Sequence, residues 1–149
     1  MLKTLFAIAG LTLVGAPSAL PAAGGCHAVS GTYVNHNITC TVPAIACVQS
    51  QLTGDFAGSS TSIVTSFDPA TQSYTAVVTN TLDDGAEFTG ALSGQITDGL
   101  GHSVETIIDG TREFAHATGT IFVADTTARG VGTYTGEFCL GDGDEPDVT

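Results

Sequence analysis

The chain has almost no positive charge. Its one lysine, Lys3, and two arginines, Arg112 and Arg129, stand against 15 carboxylates, for a formal net charge of −12 at pH 7. Phosphate backbones are held by cationic side chains, so such a surface excludes nucleic acid as a partner. Tryptophan is absent, and no stretch sustains the 3.6-residue period of an amphipathic helix. Also missing are the nucleophile elbow, the phosphate loop, the zinc-protease helix and the dinucleotide fingerprint, so no cofactor is implied. The C-x2-C spacing of a zinc cluster does not occur either, and no metal site is expected.

What is present begins with a leader. Met1-Leu2-Lys3 supplies a charged start, and Thr4 to Ala16 an apolar stretch short of a membrane span. Small residues follow from Ala19 to Gly25, so residues 1–24 read as a cleaved signal peptide. With the leader removed no lysine remains, and no membrane association is expected. A secreted or periplasmic location agrees with Cys26, Cys40, Cys47 and Cys139, which read as two disulfides formed in an oxidising compartment. The remainder, about 125 residues, is enough for one domain and one core. Nothing in the pattern sets an oligomeric state.

Residues 25–46 hold three cysteines, Pro43 and short β-branched stretches, and read as a disulfide-pinned N-terminal arm. From Cys47 the chain alternates Thr/Val/Ile/Phe/Tyr-rich runs with Gly/Asp/Asn/Pro punctuation, the composition of successive antiparallel strands. Seven strands are expected, near 47–57, 60–67, 72–80, 86–97, 102–109, 118–125 and 129–140. A short helical turn is expected at 112–115. Turn chemistry lies between them at Asp68-Pro69-Ala70-Thr71, Asp83-Asp84-Gly85, Asp98-Gly99-Leu100-Gly101 and Asp109-Gly110. The acidic run from Asp142 lacks the ligand series of a calcium loop, so 142–149 read as a disordered tail, leaving 47–141 as the barrel domain.

One element recurs in four of these strands: Leu52-Thr53-Gly54-Asp55-Phe56, Phe88-Thr89-Gly90-Ala91-Leu92, Ala117-Thr118-Gly119-Thr120-Ile121 and Tyr134-Thr135-Gly136-Glu137-Phe138. With a period of two, the glycine shares a face with its apolar flanks. A row of large, absent and large side chains suits a strongly coiled sheet closing into a small barrel. In an antiparallel barrel the first and last strands pair. Taking 47–57 as the first strand sets Cys47 beside Cys139, both on the outer face by parity, and leaves Cys26 for Cys40.

The stretch 86–138 resembles the allene oxide cyclase barrel superfamily, which includes dirigent proteins. The likeness rests on Phe88-Thr89-Gly90-Ala91-Leu92-Ser93-Gly94, on Gly110 to Ile121 and on Gly130-Val131-Gly132-Thr133-Tyr134-Thr135-Gly136. Thr111-Arg112 departs from the dipeptide often seen there. The resemblance implies an all-β, closed, antiparallel eight-stranded barrel with an apolar interior. It carries no activity with it.

Three residues are candidates for acid/base chemistry. Arg112 and His116 flank Phe114 in a glycine-bounded turn, where ordinary surface pairing is the simpler account. Glu105 lies in Ser103-Val104-Glu105-Thr106-Ile107-Ile108, with apolar residues on both parities. Val104, Thr106 and Ile108 make the more natural inner row, which leaves Glu105 outside. On the opposite parity it would be a carboxylate in an apolar interior, with its pKa raised by desolvation. Tyr33, Tyr74 and Tyr134 are candidate pocket-lining residues, with Phe56, Phe88 and Phe138 as the walls of a ligand pocket. The expected function is that of a secreted, non-catalytic barrel that binds a small apolar ligand or serves as an extracellular scaffold. The alternative is a cyclase or isomerase acting on a small apolar substrate inside the barrel.

Overall fold

A computed structural model describes residues 25–141. The signal peptide and acidic tail expected at 1–24 and 142–149 lie outside the described residues. Eight antiparallel strands form a closed barrel, each paired with its neighbours in sequence: β1 (Gly25–Ile38), β2 (Ala46–Gly54), β3 (Gly58–Asp68), β4 (Ser73–Leu82), β5 (Glu87–Thr97), β6 (Leu100–Gly110), β7 (Thr118–Thr127) and β8 (Val131–Leu140). A single 3-10 turn, Arg112–Phe114, sits between β6 and β7. Closure gives every strand two neighbours and leaves no free sheet edge.

The eighth strand comes from the N-terminal segment. That segment is pinned by disulfides, as expected, but most of it is β1, the strand that closes the barrel against β8. This corrects the disulfide pairing. The closure argument holds with β1, not 47–57, as the first strand: Cys26 lies directly opposite Cys139 and is bonded to it, and Cys40 bonds Cys47. Both members of the seam disulfide point outward by parity, as the argument required. Cys47 also has outward parity, yet it is buried beside the 39–45 connection that its bond to Cys40 ties to the start of β2.

The two ends of the barrel differ. At one, which we call the base, lie the β2–β3, β4–β5 and β6–β7 connections, the start of β1 and the end of β8. Here Phe56, Phe88, Phe114 and Phe138 interlock, with ring centroids 4.8–5.5 Å apart. Phe114, carried inward by the 3-10 turn, is fully buried and plugs this end together with Ala86, Ala117 and Leu140. Rings at these spacings add about 0.5–1.5 kcal/mol per pair beyond the area they bury. At the other end, the mouth, the inward rows are small: Ser50 on β2, Ser60 and Ser62 on β3, Ala76 on β4 and Ser103 on β6.

The elements within β5 and β8 keep the predicted parity, with Phe88 and Gly90 and Tyr134 and Phe138 inward. The other two run past strand ends: β2 stops at Gly54, which is exposed, β7 begins at Thr118, and Phe56 and Ala117 are buried from the flanking turns. Among the motif glycines Gly90 makes room for a neighbouring side chain, while at Gly54, Gly119 and Gly136 the backbone of the next strand lies close; three further glycines, Gly31, Gly94 and Gly132, do the same as Gly90. Tyr134 lies over Gly31, Tyr33 over Gly132, Tyr74 over Gly94 and Glu105 over Gly90, each so close that a Cβ on the glycine would collide.

Candidate functional site

The small inward residues of the mouth half enclose a cavity of about 430 Å³. That is within the usual size of small-molecule sites. Its walls are mostly apolar, among them Leu52, Val78, Leu92, Ile121 and Val123, and the rings of Phe56 and Phe88 form part of its lining above the base. At the rim, Ile45, Phe67 and Ile96 line the cavity and are also exposed to solvent. An apolar path therefore runs from the outside to the interior.

Glu105 is inside. It is 5% exposed and lines the cavity, while Ile108, assigned inward from sequence, is 58% exposed. The expected inner row of β6 is corrected: Ser103, Glu105 and Ile107 face in, and Val104, Thr106 and Ile108 face out. Pairing explains why. Glu105 stands opposite Leu92 on β5 and Ile121 on β7, both inward, and directly paired residues share a face. Asn80 Nδ2 donates a 2.9 Å hydrogen bond to Glu105 Oε1. Burial pushes the carboxyl up to about 7, and the Asn80 bond opposes that rise in part. Asn80 is itself 4% exposed, so a carboxamide and a carboxyl share the apolar wall.

A second polar group sits towards the mouth. The Tyr33 hydroxyl donates to Asp125 Oδ1 at 2.7 Å, and the Gly101 amide donates to Asp125 Oδ2 at 2.9 Å. Burial, the hydrogen bond to Asp125 and the charge of Asp125 hold Tyr33 far above the ordinary phenol range. Tyr74 is also raised, chiefly by burial, with a bond to Ser103 pulling the other way. Nearby, the Ser50 hydroxyl donates to Asn35 Oδ1 at 2.6 Å. Tyr33 and Tyr74 line the cavity as expected, whereas the small inward serines, Asn80 and Asp125 were missed from sequence as site residues. Their signal was parity: Ser50 alternates with Val48 and Leu52 on one face, and Asn80 with Ala76 and Val78.

The other expected site residues divide. Phe56, Phe88 and Tyr134 line the cavity. Tyr134 also has a structural task, because its hydroxyl donates to the Thr53 carbonyl at 2.8 Å and accepts from the Phe56 amide at 2.8 Å. Phe138 is not part of the lining; it lies in the base, edge-on to Phe56, Phe88 and Phe114. Arg112 and His116 are corrected as cavity candidates. Both are exposed on the outside of the base, and Arg112 Nη1 donates to the Asp84 carbonyl at 2.9 Å. Only the buried Phe114 between them reaches the interior.

Among the described residues, Cys26, Glu137 and Cys139 have atoms close enough together for a metal ion. The two cysteines are bonded to each other, so they offer no thiolates. No protein-family model matches the chain, and no curated protein or solved structure does.

Proposed function

We propose that the protein binds a small, largely apolar molecule in the mouth half of its barrel, within the fold type of the allene oxide cyclase and dirigent-like proteins that its sequence resembles. The observation that carries this reading is the unequal filling of one barrel. Interlocked rings pack the base, whereas small inward residues above it, Ser50, Ser60, Ser62, Ala76 and Ser103, stand among Leu, Val and Tyr walls and leave about 430 Å³ behind an apolar rim. Polar groups at Glu105, Asn80 and Asp125 would orient one polar atom of the ligand, and the remaining wall would bury its apolar body. Two disulfides fit an extracellular or periplasmic setting for such a carrier.

The test is titration with a neutral lipophilic dye such as N-phenylnaphthylamine, whose emission rises in apolar surroundings. We expect one saturable site on the wild-type protein and its loss in Ser60→Leu, which fills the cavity from β3 while the fold is retained by circular dichroism. Equal binding by both proteins would place the dye elsewhere and remove the reading.

Glu105 supports a second reading, a cyclase or isomerase. A buried carboxyl with its pKa near 7 can give a proton to a substrate and take one back, so rearrangement needs no cofactor. Turnover of an apolar substrate that disappears in Glu105→Gln would establish it. Turnover that persists in that variant would exclude Glu105 as the acid or base.

A further inference from the structure

The cavity is lined by two carboxylates and by no cation. Glu105 and Asp125 are both part of its wall, and among the described residues no lysine, arginine or histidine lines it. The two arginines of the described residues are elsewhere: Arg112 is bound to the Asp84 carbonyl outside the base, and Arg129 is exposed in the β7–β8 turn. Asp125 is satisfied, since each of its oxygens accepts a hydrogen bond. Glu105 is different: deeper and almost fully buried, it has a neutral carboxamide as its side-chain partner.

We propose that the ligand is a lipophilic amine, held as its ammonium ion against Glu105 with its apolar body along the cavity wall. This deepens the binding reading above and rests on it. A buried carboxylate without a cation is costly, and a ligand ammonium supplies the missing charge together with a charge-assisted hydrogen bond. The rings of Tyr33, Tyr74, Phe56 and Phe88 line the same space and offer faces to a cation. The formal charge of −12 raises the local concentration of cations around the molecule. Where Glu105 is ionised, the same features disfavour fatty acids, whose carboxylate would meet two like charges in a largely apolar cavity.

The experiment is displacement of N-phenylnaphthylamine at pH 8 by decylamine, decanol and decanoate, which share a chain length and differ in head-group charge. Decylamine is expected to displace the dye at about tenfold lower concentration than decanol, or better, and decanoate to be the weakest of the three. In Glu105→Gln the advantage of decylamine over decanol should collapse. Decanoate matching decylamine, or an undiminished amine advantage in Glu105→Gln, overturns the proposal while leaving a binding site in place. Absence of saturable dye binding and of displacement by any of the three overturns the binding reading itself. If Glu105→Gln fails to fold, the order of the three probes on the wild-type protein decides.

Discussion

The base and the mouth of this barrel are built by the same eight strands, yet one end is a core and the other a container. Every strand passes through both, and in both the inward rows follow the same alternation. Only side-chain size differs. Four phenylalanines converge on the base, whereas the rows above it mix small residues, serine, alanine, valine and glycine, with larger ones and carry one buried glutamate. Parity decides which residues face in; their volume decides whether a barrel of this girth is filled. The base supplies stability, and the mouth half is free to bear groups that stability alone would not select, such as a buried carboxyl.

That division can be broken by experiment. The largest effect is expected at the seam, where Cys26–Cys139 spans a sequence separation of 113 and lies at the base end of β1 and β8. Replacing both cysteines by serine should lower unfolding stability by about 5 kcal/mol on chain-entropy grounds, read from urea midpoints. Next comes Phe88→Ala, which should cost about 3–5 kcal/mol by opening a void in the packed rings. A loss below about 1 kcal/mol would mean that the base is not the stabilising end.

Glu105 should give the third effect, one that depends on pH. Its folded pKa is raised, so between its ordinary value and about 7 the folded state holds a proton that the unfolded chain releases. Stability from this group is therefore full at acid pH, falls as pH rises through that window, and stays low above it. The loss amounts to about 3 kcal/mol. Subtracting a Glu105→Gln urea series from the wild-type series between pH 4 and 9 should isolate this slope. A flat difference would mean that the carboxyl is solvated. The smallest effect is expected for Val78→Ala, about 1–2 kcal/mol, because its side chain already borders open space and its removal enlarges a void without creating one. If it costs as much as Phe88→Ala, the mouth half is packed as tightly as the base and the contrast fails.

Much of this was legible in the sequence, and the misreadings of β1 and of Glu105 have physical causes. Strand positions, the short turn at Arg112–Phe114 and the inward glycines followed from alternation and turn chemistry. β1 escaped because its inner row alternates Val29 and Tyr33 with His27, Gly31 and Asn35, which is too polar to signal a strand, and because its neighbouring cysteines suggested an arm. The disulfide pairing then slipped by one strand. For Glu105, hydropathy within a single strand pointed to the wrong face. The face is set across the hairpin: the turn is only Asp98-Gly99, shorter than the 98–101 turn expected, and pairs Thr97 with Leu100 and hence Leu92 with Glu105. Since the Thr-Gly element already placed Leu92 inward, Glu105 had to follow. The cavity itself was not legible, because it depends on how rows from several strands add up in volume.

The seam at the base has one more consequence. The described chain begins at Gly25 and β8 ends at Leu140, side by side at the pole opposite the mouth, and a covalent bond joins the two strands there. Any anchor, fusion or surface tether attached at either end of the barrel would hold the molecule by its sealed pole and leave the opening facing outward. Residues 26 to 139 also form a covalent ring, so one proteolytic cut in any turn within it would open a loop without releasing a fragment.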